Sequence, residues 1–172
     1  CILSGLRRGV EAAERAYPIR TGLIAGINRE QPLEIGERVV DLAIAGENVL
    51  GVDILSDESY PAERFAEPLK RAETAGLGIT IHAGEFGGAE NIWMAAECLR
   101  ADRIGHGTHL FEPSEHDAVD AVRRRGALME CCPSANVAFG VLSSVDCHPM
   151  MRMRALQIPV NISTDDPRVV DH

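Results

Sequence analysis

The sequence has 172 residues, of which 45% are hydrophobic and 25% charged, enough chain to enclose a sizeable core in one domain. Acids outnumber Lys and Arg by 26 to 17, and a formal net charge of -9 argues against nucleic-acid backbone or an anionic membrane as the partner. Five cysteines without a CxxC exclude a disulfide framework and a Cys-rich zinc site, and they suit a reducing cytoplasm.

The chain opens in a helical pattern, "CILSGLRRGVEAAERAY". Six short, nearly unbroken apolar runs then predict strands: 21–28, 49–55, 77–83, 102–107, 127–132 and 158–164. Such runs suit parallel strands covered on both faces. Amphipathic helices are expected between them at 32–46, 61–76, 88–100, 113–125 and 147–156. Pro32, Pro61 and Pro113 mark their starts and Gly46, Gly76 and Gly126 their ends. The Arg123-Arg124-Arg125 run falls in a last helical turn, where cations suit the dipole. Strand and helix alternate throughout, which leaves an open doubly wound sheet or a (β/α)8 barrel.

The barrel is favoured by where the polar residues fall. No GxGxxG follows an early strand, so a dinucleotide fold has no support. Asp53, His82, Glu85, His106, Ser134, Asn136, Asp165 and Asp166 all fall at or just past predicted strand C-terminal ends, the face on which a barrel builds its site. A full barrel takes about 200–250 residues. The expectation is therefore a partial (β/α)8 TIM barrel of about six strands, the third to the eighth. Residues 1–172 would form a single, incomplete domain, with two βα units before Cys1 and the last helix after His172.

Three stretches hold candidate chemistry. In "IHAGE", Gly84 permits a turn that lets His82 and Glu85 face the same mouth. In "RIGHGTH", His106 lies between two glycines, which lets a ligand approach its ring. In "STDDP", adjacent acids repel unless a metal or a protonated ligand offsets the repulsion, although a surface turn also accommodates them. A carboxylate beside imidazoles is a reasonable zinc ligand set, and His82 with Asp165 supplies two of the three protein ligands that a catalytic zinc ordinarily takes. Two histidines, a glutamate and two aspartates on three strand ends point to metal-assisted hydrolysis. A sugar-phosphate barrel working through a Schiff base has only Lys70, in the middle of a helix.

"HAGE" (82–85), "RIGHG" (103–107), "CPSANV" (132–137), "HPM" (148–150) and "STDDP" (163–167) stand in the order and spacing of the adenosine deaminase family, which the whole chain resembles. The resemblance extends to "LIAGINREQP", "VLGVDILSDES" and "PAERFAEPLKRAETAGLGITIHAGE". It implies a cytoplasmic, zinc-dependent hydrolase, with one Zn2+ per site, that converts adenosine (and deoxyadenosine) to inosine and ammonia in purine salvage. His82 and Asp165 would bind the metal. Glu85 would protonate the purine ring nitrogen, and His106 would orient and help deprotonate the attacking water. Asp166 would accept a hydrogen bond on the five-membered-ring side, and Ser56 would meet the purine through its backbone. The expected partner is a small purine nucleoside, with no nucleic acid and no membrane.

This chain departs from the family pattern in three places. It lacks a His-x-His pair, so the 172 residues alone are expected to be inactive. It has Ser56 where relatives have glycine, and Ser163 where asparagine is common. Gly105 favours adenosine, because the adenine deaminase branch has an aspartate before this histidine. The alternatives are an adenine or N6-substituted purine nucleotide deaminase, or a non-catalytic truncated barrel that binds purine. Base deaminases with an H-x-E…P-C-x-x-C signature are a separate solution, and Cys131-Cys132-Pro133 does not match it.

Overall fold

The computed structural model describes residues 2–166, with side chains from residue 4 onwards. Cys1 and residues 167–172, including Pro167 and His172, lie outside the described residues. Helix α1 (Ile2–Ala16) leads into a repeating order: β1 (Leu23–Asn28), α2 (Leu33–Ala45), β2 (Val49–Leu55), α3 (Ala66–Thr74), β3 (Gly78–Ala83), α4 (Ala89–Trp93), β4 (Arg103–His106), α5 (Ala118–Arg125), β5 (Leu128–Cys131), α6 (Pro133–Ala138), α7 (Met150–Ala155) and β6 (Val160–Ile162). The six strands form one sheet in sequence order, every pair parallel. This is the expected alternation of a partial barrel.

One row of the register explains why the apolar runs are unbroken. Ile27, Ile54, Ile81, Ile104, Met129 and Val160 are mutual partners across all six strands. The first five are buried, and they share a cluster with Phe65, Leu69, Ile92, Val122 and Met153. Each isoleucine so enclosed contributes about 1.5–3 kcal/mol relative to exposure. The next residues along the strands point to the opposite face. There His82, Gly105, Glu130 and Asn161 form their own row.

The helices depart from the expected bounds at their starts. The segment at 61–76 begins as a 3-10 turn (Ala62–Phe65) before α3. The segment expected from Pro113 becomes helical only at Ala118, because Asp117 takes the cap and accepts the Asp120 N–H at 2.8 Å. A π turn (Met94–Cys98) continues α4, with Leu99 N–H donating to the Met94 carbonyl at 3.0 Å. Helix α6 was not expected, and it follows β5 directly. Among the described residues no helix is long and apolar enough to cross a membrane.

Candidate active site

The site gathers at the C-terminal ends of the strands, as the polar residues predict. On β3, His82 is half-buried, and its Nδ1 lies 3.1 Å from Asp53 Oδ1 on neighbouring β2. A carboxylate behind a ring nitrogen fixes the tautomer and leaves Nε2 as the ligand atom, the arrangement usual behind metal-bound histidines. Burial pushes the His82 pKa down, but Asp53, Glu85 and Asp165 outweigh it and the net direction is upward.

His106 ends β4 with a left-handed φ of 65°, and it is buried. Its ring centroid stands 5.1 Å from that of His82. On the far side, Thr108 donates its hydroxyl proton to Asn136 Oδ1 (3.3 Å), and the Asn136 amide donates to His106 Nδ1 (3.1 Å). That chain of donors places the proton of the neutral ring on Nε2, which faces Glu85 Oε2 at 3.5 Å. Burial and the neighbouring His82 hold the His106 pKa below its ordinary value, so the ring is neutral at physiological pH. Burial, with Asp165 reinforcing it, pushes the Glu85 carboxyl up to about 7. A carboxyl so raised still carries a proton where ordinary carboxyls have lost theirs.

Gly84 turns the loop between His82 and Glu85 with a φ of 74°, as the sequence requires. Asp165 and Asp166 follow β6 and are both exposed, Asp165 with a φ of 63°. Ser56 also sits at the mouth, with a φ of 86° and its hydroxyl donating to Glu30. Such a left-handed backbone is one that glycine, the residue expected here from the family resemblance, adopts without strain. Among the described residues, His106, Cys132 and Asp165 bring possible ligand atoms within 4.8 Å of one another, and His82 lies alongside. Imidazole, thiol and carboxylate are donor types that suit zinc, and His82, braced by Asp53, stands beside this cluster and is not one of its three members. The donor set therefore fits a zinc ion.

Sequence reasoning missed three supporting residues. Glu58 is buried, and its carboxylate accepts the N–H groups of Gly84, Glu85 and Phe86. Arg29 is buried just past β1 and donates to the His82 carbonyl at 2.5 Å. His109 lies 3.1 Å from the Gly84 carbonyl through its Nδ1. In sequence, Glu58 reads as one acid in a turn and Arg29 as one cation after a strand.

The adenosine deaminase family profile matches residues 1–172. An adenosine deaminase of Clostridium perfringens is 31% identical over 174 residues, covering 98% of this chain and 51% of the relative. Among solved structures, an adenine deaminase from Arthrobacter aurescens superposes with a TM-score of 0.88 at 28% identity, covering 98% of this chain and 51% of that one. An amidohydrolase from Burkholderia ambifaria, solved with bound Zn, gives 0.79 at 31% identity over 94% of this chain and 46% of that one. The chain spans about half the length of the curated relatives it matches. With the profile running from its first residue to its last, the chain belongs to the adenosine deaminase family.

Proposed function

We propose that the protein carrying these residues hydrolyses the 6-amino group of adenosine, giving inosine and ammonia in cytoplasmic purine salvage. The observation that carries the reading is the meeting of Glu85 and His106, 3.5 Å apart, beside a His82 braced by Asp53. Glu85 gives its proton to the purine ring nitrogen beside C6, which makes that carbon electrophilic. His106, held by Asn136, orients the attacking water, and it draws off a proton once the Asn136 amide turns to accept the Nδ1 proton and Nε2 is left as the base. Asp166 accepts a hydrogen bond from the five-membered-ring side, and the Ser56 backbone faces the base. His82 and Asp165 would hold one zinc ion, which would supply the Lewis acidity that brings the pKa of water towards neutrality. Two protein ligands are fewer than a catalytic zinc ordinarily takes. The 172 residues alone therefore bind zinc weakly and turn over little.

Adenosine is preferred to adenine because of Gly105. A Cβ there would lie 3.3 Å from the His82 ring, so the aspartate of the adenine branch would crowd it. Adenine remains the second reading, drawn from the likeness to the A. aurescens adenine deaminase. N6-substituted nucleotides are disfavoured by charge, because Glu30, Asp57, Asp165 and Asp166, just past the C-terminal ends of β1, β2 and β6, are all exposed acids.

The test is ammonia release from adenosine, adenine and an N6-methylated purine nucleotide by the full-length protein with zinc supplied. Adenosine should be the best substrate, and Glu85→Gln should lower kcat on the order of 10²–10⁴-fold. Faster turnover of adenine would move the assignment to the second reading. No ammonia from any of the three would overturn the deaminase reading.

A further inference from the structure

The stretch that carries both His82 and Glu85 is gripped from behind by residues that take no part in the proposed chemistry. Glu58, only 8% exposed, lies under the loop after β3. Its Oε2 accepts the Gly84 N–H at 2.7 Å and the Asn91 side-chain amide at 3.0 Å. Its Oε1 accepts the N–H of Glu85 at 2.7 Å and of Phe86 at 3.1 Å. Three successive amides converge on one carboxylate, which requires the left-handed turn at Gly84. Backbone arranged so is a ready anion site, and here the chain fills it with its own anion.

The opposite grip comes from Arg29, which donates to the His82 carbonyl at 2.5 Å and to the Ile54 carbonyl at 3.4 Å. Arg29 and Glu58 line the same cavity of about 130 Å3, together with Asn91 and Met94. Space is tight on the loop side, where a Cβ at Gly87 would come within 2.7 Å of Glu58 Oε2. The loop is therefore fixed at the amides of 84, 85 and 86 and at the carbonyl of 82. Its freedom to swing Glu85 towards or away from His106 is removed by groups outside the mouth.

We propose that Glu58, opposed by Arg29, is the positioning residue that sets Glu85 against His106 by binding three consecutive amides of the loop. Its catalytic consequence rests on the deaminase reading; the grip on the loop does not. A carboxylate is needed because three N–H donors and an amide share two oxygens. Glutamine turns one of those oxygens into a donor facing donors, and a buried N–H left unpaired costs about 1–3 kcal/mol.

The experiment compares the full-length protein with Glu58→Gln and with Asn91→Ala, which removes only the fourth partner. Amide hydrogen exchange is read by NMR on protein labelled at Gly, Glu and Phe. In Glu58→Gln, exchange at Gly84, Glu85 and Phe86 should accelerate about ten- to hundred-fold, with strand amides at 79–81 unchanged. Asn91→Ala should loosen the same three amides less. With adenosine as substrate, kcat should fall on the order of ten-fold or more, while KM and zinc content move by less than about three-fold. Wild-type exchange at 84–86 in both variants overturns the proposal. So does a Glu58→Gln protein in which kcat and zinc content fall while KM rises, since that marks a general loss of structure. If the wild-type protein releases no ammonia, the deaminase reading fails, and the exchange arm still decides whether Glu58 holds the loop.

Discussion

Asp165 and Asp166 are neighbours in sequence with separate tasks under the proposed mechanism. The left-handed φ of Asp165 turns successive side chains in different directions, so adjacent carboxylates need not share one target. With the metal assigned to Asp165 and the purine to Asp166, Asp165→Asn should lower zinc content, measured on the purified protein. Asp166→Asn should keep zinc and lose turnover. Equal zinc loss in both variants would contradict the division. These two acids, with His82, Glu85 and His106, are candidates in sequence because each stands at or just past a strand end. Glu58 and Arg29 are not, and Asn136 shows there only as a polar residue near a strand end. Their value lies in what they touch 26 to 53 residues away: Gly84 from Glu58, His82 from Arg29, His106 from Asn136. Such partners become visible only once the strands are laid side by side.

Strands were more legible than helices. The row from Ile27 to Val160 recurs in every strand, so apolar runs alone locate the sheet. Helix starts depend on competing local signals, and Pro113 and Asp117 are both permissible openings. Asp117 prevails because its carboxylate satisfies a free N–H of the first turn, whereas a proline merely lacks one. Helix α6 is six residues of small and polar side chains, "PSANVA", too short to show a 3.6-residue period. The cap gives a direct check. Asp117→Ala should destabilise the protein by about 1 kcal/mol, read from the urea midpoint with an unchanged slope. Pro113→Ala should leave it nearly unaltered.

Across the whole molecule the sheet is open. Among the described residues β1 and β6 each pair on one side only. Apolar side chains accompany these edges: Ile24 is 50% exposed and Ile162 73%. Unpaired strand edges with exposed isoleucines are templates for another chain. The 172 residues prepared alone should therefore associate, running above monomer mass by light scattering after gel filtration. A stable monomer at tens of micromolar (~10–50 μM, a range where exposed edges usually pair) would contradict this. The charge of -9 slows association without closing the edges.

Ser56, His106 and Asp165 share a positive-φ backbone with Asn48, Arg100 and Gln157 and with glycines at 76, 84, 107, 126 and 140. A side chain held there costs about 1–2 kcal/mol. Consider a random library of this protein screened for survival of heating and nothing else. Position 56 would drift to glycine, and 165 to glycine or asparagine. His106, packed and hydrogen-bonded, would change more slowly, because deleting it leaves a cavity. Survivors would lose the carboxylate proposed for the metal before they lost their fold. Adding a selection for turnover should restore aspartate at 165 and leave glycine at 56, where the proposed purine contact is through the backbone, so the difference between the two sequence populations would measure what each residue is retained for.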